Sequence, residues 1–131
     1  WTLLVGPEEL LAESLLLGGL GGVCGGANIA PQLYVDLFDA ARREELSRVN
    51  ELHRRIIEIS FRLYQTDQNT PPSTFLNAVK TALALLGICS DVVADPFMPL
   101  GTPKRNDIWQ HLVELDLTER RMAPAINGND Q

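Results

Sequence analysis

The chain has 131 residues, of which 45% are hydrophobic and 21% charged, and a net charge of −6. That balance excludes a disordered chain, and an acidic protein without clustered Lys and Arg is not a nucleic-acid surface. Two cysteines are too few for a disulfide framework or a zinc cluster, and no apolar run reaches the roughly 18 residues of a membrane span.

Trp1-Thr2-Leu3-Leu4-Val5 reads as a short buried strand, apolar almost throughout, as in parallel sheets covered on both faces. Gly6 ends it. Pro7 then stands at a first helical position, with Glu8 and Glu9 in the first turn, where the positive end of the helix dipole favours acids. Leu10, Leu11, Leu15 and Leu16 recur at helical spacing until Gly18-Gly19 stops them. Gly21 to Gly25 reads as a second short strand, apolar at Val23 and Cys24. Strand, helix and strand in this order make a βα unit feeding a parallel strand.

Residues 18–28 hold six of the ten glycines. Such density marks tight turns, close strand–helix packing or backbone laid against a ligand. The glycines do not fall as G-x-G-x-x-G, and no Gly-Lys-Ser/Thr follows, so a phosphate-binding loop is not indicated.

From Asn28 onward the pattern is helical. Asn28 or Ala30 caps a helix with Pro31 in its first turn and a buried stripe at Leu33, Leu37, Phe38 and Ala41. After a break near Arg43-Glu44-Glu45, Val49, Leu52, Ile56, Ile59 and Leu63 follow the alternating three and four spacing of a packed seam. Asp67 to Pro72 is a turn-rich loop, and Ser73 or Thr74 caps a third helix carrying Leu76, Val79, Leu83 and Leu86, closed by Gly87. Ser90 to Pro103 reads as irregular, Asn106 to Leu115 as a last helix, and Thr118 to Gln131 as a polar tail. Two parallel strands leave their outer edges unpaired. The pattern therefore predicts strands on the amino-terminal side of Trp1 and helices that finish a fold begun elsewhere.

The run Val5-Gly6-Pro7-Glu8-Glu9, then Leu16-Leu17-Gly18-Gly19-Leu20-Gly21-Gly22-Val23, then Ala27-Asn28-Ile29-Ala30-Pro31 resembles the seventh and eighth βα units of the dihydrodipicolinate synthase and N-acetylneuraminate lyase family. Phe75 to Gly87 resembles that family's penultimate helix. The resemblance implies an α/β fold: residues 1–43 form the last two βα units of a (β/α)8 TIM barrel, and residues 44–116 a three-helix C-terminal extension. Residues 117–131 would be a disordered tail.

The implied function is the C-terminal part of a pyruvate-dependent Schiff-base lyase, a class I aldolase. The expected reaction condenses pyruvate with an aldehyde, as in dihydrodipicolinate synthesis. An aldolase or dehydratase acting on a 2-oxo sugar acid is the alternative. The imine-forming lysine would precede Trp1, so no catalytic residue is expected in this chain, and the chain alone is expected to be inactive. Substrate-binding positions carried over are Gly6, Glu8, Glu9, Val23 through its backbone carbonyl, and Gly25. Glu8 and Glu9 match the acidic pair that contacts the polyol tail in sialic-acid lyases, although helix-dipole stabilisation alone accounts for acids there. Gly25 stands where those lyases carry a hydroxyl, which argues against a sialic-acid substrate.

No metal and no cofactor are expected. The partners would be a 2-oxo acid (pyruvate) and an aldehyde, with no nucleic acid and no membrane, in a cytoplasmic homotetramer. Lys80 reads as structural, because it lies on a helix and not on a strand, with its amine able to reach water. Cys24 reads as a small buried hydrophobe, since no His lies near it in sequence. The competing class is a helical oligomerisation module without enzymatic activity.

Overall fold

The computed structural model describes residues 1–64 and 74–118. The expected loop at Asp67–Pro72, the cap at Ser73 and residues 119–131 of the expected tail lie outside them. Two short strands, β1 (Leu4–Val5) and β2 (Gly21–Gly22), pair in parallel with Leu4 opposite Gly21 and Val5 opposite Gly22. Two further bonds extend the pairing: Leu20 N–H donates to the Leu3 carbonyl at 2.9 Å, and Val23 N–H to the Val5 carbonyl at 2.8 Å.

Both strands differ from their sequence reading. The first was expected to be buried, yet Leu3 is 63% and Leu4 51% exposed. Among the described residues the sheet has two strands, so these side chains have no third described strand to pack beside. The second, expected to reach Gly25, ends at Gly22, and Gly25–Asn28 winds into a 3-10 turn.

The segment after Pro7 is not one helix. A 3-10 turn at Glu8–Leu10 precedes α1 (Leu11–Leu16), and this tighter winding moves the side chains around the axis. Leu11 and Ala12 are buried, whereas Leu10 and Leu16 are exposed. Gly18 takes the left-handed backbone, φ 95°, that ends the helix.

Helix α2 (Pro31–Arg42) opens on Pro31, whose fixed φ suits a first helical residue. Ala30 is its N-cap and makes no side-chain cap bond; Asn28 Nδ2 donates instead to the Gly25 carbonyl at 3.0 Å. Tyr34, Leu37, Ala40 and Ala41 are buried, and Phe38 only partly so.

Helix α3 (Leu46–Tyr64) is the spine, with all five seam residues buried. Its first half packs with α1 and α2 in a core containing Leu11, Leu37, Leu52 and Ile56, and its second half shares a core with Val79, Leu83, Ile108 and Leu112. Each fully buried Ile or Leu along it contributes about 1.5–3 kcal/mol of transfer free energy.

On α4 (Thr74–Leu85) Val79 and Leu83 are buried as the spacing predicts, with Leu86 just beyond it, but Leu76 is exposed. The buried stripe starts at Asn77, whose Nδ2 donates to the Met98 carbonyl at 2.9 Å and pins the irregular segment to the helix. Helix α5 (Thr102–Glu114) begins earlier than the expected Asn106, because Pro103 lies in its first turn, where no intrahelical N–H is needed.

Candidate functional site

Glu8 is the centre of the site. It is 3% exposed, and a buried carboxylate requires partners. Its Oε2 accepts the Gly26 N–H at 2.9 Å and a short hydrogen bond from the Tyr34 hydroxyl. Three separate elements therefore meet at one oxygen: the turn after β1, the turn after β2 and the buried face of α2. A Cβ on Gly26 would fall on both the Tyr34 hydroxyl and Glu8 Oε2, so only glycine lets the backbone come this close.

Burial, the hydrogen bond to Glu8 and the charge of Glu8 hold the Tyr34 hydroxyl well above the ordinary tyrosine range. Tyr64 is pushed up as well, by burial first and then by Glu8 and Glu9. Both phenols stay protonated and can act as donors at neutral pH. Among the described residues, neither the Tyr64 hydroxyl nor Glu8 Oε1 meets a partner in full hydrogen-bond geometry, although the two groups are near enough for Glu8 to raise Tyr64. Cys24, buried beside this charge, is raised from 9.0 to about 11, chiefly by desolvation, so it is a neutral thiol and no nucleophile.

Glu9 differs from its neighbour. It is exposed, its Oε1 accepts a hydrogen bond from the Ser60 hydroxyl, and its backbone carbonyl lies 2.9 Å from His53 Nε2, a contact that needs the ring proton on that nitrogen. Beside it, Ile57, Ser60, Phe61, Tyr64 and Phe75 line a cavity of about 320 Å3. The Phe75 ring stands edge-on to Tyr64 at 4.5 Å, and it fills the space that a side chain at Gly25 would take. A larger groove of about 790 Å3, between the start of α2, α3 and the end of α5, contains none of the predicted site residues.

The five residues singled out by sequence thus fall close together without being equivalent. Gly6 is exposed in open space, Glu8 is buried, Glu9 is exposed, Val23 is 73% exposed with its N–H on the Val5 carbonyl, and Gly25 lies under Phe75. Lys80 sits on α4 with its amine 3.7 Å from the Cys89 sulfur. Among the described residues no three His, Cys, Asp or Glu side chains gather to hold a metal ion. Sequence reasoning missed Gly26, Tyr34, Ser60, Tyr64 and Phe75. Tyr34 had a signal: it falls three residues before Leu37 on a buried stripe, and a buried tyrosine hydroxyl needs a partner.

The model of the Dihydrodipicolinate synthetase family matches residues 1–115. The chain belongs to that family. YagE of Escherichia coli K12, provisionally named a 2-dehydro-3-deoxy-D-gluconate aldolase, is 34% identical over 118 residues, 89% of this chain and 37% of YagE. Among solved structures, a dihydrodipicolinate synthase from Bacteroides thetaiotaomicron is 46% identical, with a TM-score of 0.80 over 86% of this chain and 37% of its own. YagE in complex with pyruvate is 32% identical in structural alignment, with a TM-score of 0.74 over 88% of this chain and 37% of its own. The chain thus spans a little over a third of the length of the family members it matches.

Proposed function

We propose that this chain is the C-terminal portion of a pyruvate-dependent Schiff-base lyase. In this reading residues 1–43 are the seventh and eighth βα units of a (β/α)8 barrel, residues 44–116 are its helical extension, and residues 117–131 are a tail. The observation that carries it is the family match over residues 1–115, joined to a parallel strand pair whose C-terminal ends bear Glu8, Glu9, Val23 and Gly25. Barrel enzymes act at that end of their strands.

The keto acid is pyruvate, in line with the pyruvate complex of YagE. The Val23 carbonyl faces it, and Glu9 faces the second substrate. The dihydrodipicolinate synthase relatives favour an aldehyde as that substrate, and the match to YagE supports a 2-oxo sugar acid aldolase as the second reading. The parent acts as a cytoplasmic homotetramer, as the family resemblance implies. No helix among the described residues is long and apolar enough to cross a membrane.

Borohydride trapping tests the proposal. The parent polypeptide, with a lysine-bearing strand about one βα repeat of roughly 30 residues before Trp1, gains a stable pyruvate adduct. The 131-residue chain gains none. An adduct on Lys80, or a parent without such a lysine, refutes the reading.

A further inference from the structure

The two acids of the first turn look like a pair in sequence, and the structure separates them. Val23 N–H is held by the Val5 carbonyl at 2.8 Å, and three residues further on Gly26 N–H is held by Glu8 Oε2 at 2.9 Å. The stretch 23–26 is therefore clipped at both ends onto the stretch 5–8. Between the clips lie Gly6, which is open to solvent, and Gly25, which lies under the Phe75 ring. The second clip is made by a side chain, and that side chain is buried and occupied by two donors. Glu9, by contrast, is exposed and borders the cavity.

We infer that Glu8 is a positioning residue and not a substrate ligand: it sets the backbone of the turn after β2, and Glu9 alone of the two acids meets substrate. This rests on the proposed lyase reading for its consequence in catalysis, but not for the clip itself. Three demands follow from the geometry. The acceptor must be anionic or an amide carbonyl, because two donors converge on one oxygen. Position 26 must be glycine. Tyr34 must keep its hydroxyl to hold Glu8 from the α2 side, since an unsupported buried carboxylate would seek water.

Hydrogen exchange on the full parent polypeptide reads the clip directly. Glu8→Ala should speed exchange of the Gly26 amide at least tenfold while the amides of Ile56 and Ile59 in α3 keep their rates. Glu8→Gln, whose carbonyl still accepts, should stay within about threefold of the parent, and Glu9→Gln should leave Gly26 unchanged, as expected when a bond to a charged acceptor is lost, weakened or untouched respectively. Equal Gly26 exchange in Glu8→Ala and the unsubstituted chain overturns the inference.

Kinetics of the full parent supply the second readout. Glu8→Gln should leave the KM for the aldehyde unmoved and slow pyruvate adduct formation only modestly, whereas Glu9→Gln should raise that KM several-fold. A KM rise in Glu8→Gln matching that of Glu9→Gln makes Glu8 a substrate ligand and overturns the inference, whether or not Glu8→Ala folds. A parent that forms no pyruvate adduct refutes the lyase reading instead and leaves the Gly26 result standing.

Discussion

Adjacent glycines at positions 25 and 26 offer an internally controlled test of the packing around Glu8. Neither has a positive φ, so alanine fits the backbone at both positions and gains about 0.4–1 kcal/mol by restricting the unfolded chain. What differs is what the new methyl meets. At position 25 it meets the Phe75 ring, which is 40% exposed and can swing outward. The loss is then the edge contact with Tyr64, about 0.5–1.5 kcal/mol, and Gly25→Ala should lie within about 1 kcal/mol of the unsubstituted chain. At position 26 it meets the Tyr34 hydroxyl and Glu8 Oε2, both buried and bonded to each other. Relieving that overlap breaks two hydrogen bonds to a carboxylate, each worth about 1.5–3 kcal/mol. Gly26→Ala should therefore cost about 2–5 kcal/mol net, a large share of the roughly 5–15 kcal/mol typical of a domain. Urea titrations followed by helical circular dichroism measure both. A Gly26→Ala cost below that of Gly25→Ala would falsify the packing argument, because it would mean that Glu8 and Tyr34 can part at little cost.

The raised thiol of Cys24 makes stability fall at alkaline pH. Its ordinary pKa is 9.0 and its native value about 11, so between these the native state holds a proton that the unfolded chain has released. The contribution is complete below 9.0 and disappears as pH rises through about 11; Cys24→Ala should flatten the slope of the urea midpoint over that window, and an unchanged slope rules Cys24 out as its source. Tyr34 and Tyr64, also raised, act with the same sign. The two thiols should also separate kinetically: a maleimide should label exposed Cys89 in the folded chain and reach Cys24 only on unfolding, and labelling at equal rates would contradict that burial. In the isolated chain the β1 and β2 amides should exchange well before those of α3, since among the described residues these two strands pair only with each other. Protection of Val5 and Val23 equal to that of Ile59, in a monomer, would contradict this.

How far the sequence could be read depended on the range of the interaction. The α3 seam is legible because burial at Val49, Leu52, Ile56, Ile59 and Leu63 follows from one local period repeated over about four turns, which averages out errors of phase. At helix ends the phase is free. Leu10 and Leu76 fall at apolar helical spacing, yet both are exposed, the first because a 3-10 turn rotates it and the second because the α4 stripe begins at Asn77. Pro103 misled in the opposite sense: read as loop punctuation, it opens α5. Family resemblance supplied Glu8, Glu9, Val23 and Gly25 as a set, but resemblance compares positions and not environments.

The Glu8 to Tyr34 bond joins residues 26 apart, and the Glu9 to Ser60 bond residues 51 apart. No local pattern encodes either, and together they put two neighbouring acids in opposite environments, one buried and one exposed. The glycine-rich stretch changes meaning for the same reason. Density alone says that backbone must come close to something, and the structure gives the adjacent glycines 25 and 26 different neighbours: Phe75 at Gly25, and Glu8 with Tyr34 at Gly26. Of these two, only Gly26 is enforced by groups buried and bonded to each other. Substitution tolerance should therefore fall sharply between two residues that any count of glycines treats alike, and that asymmetry follows from whether the obstructing side chain has solvent behind it.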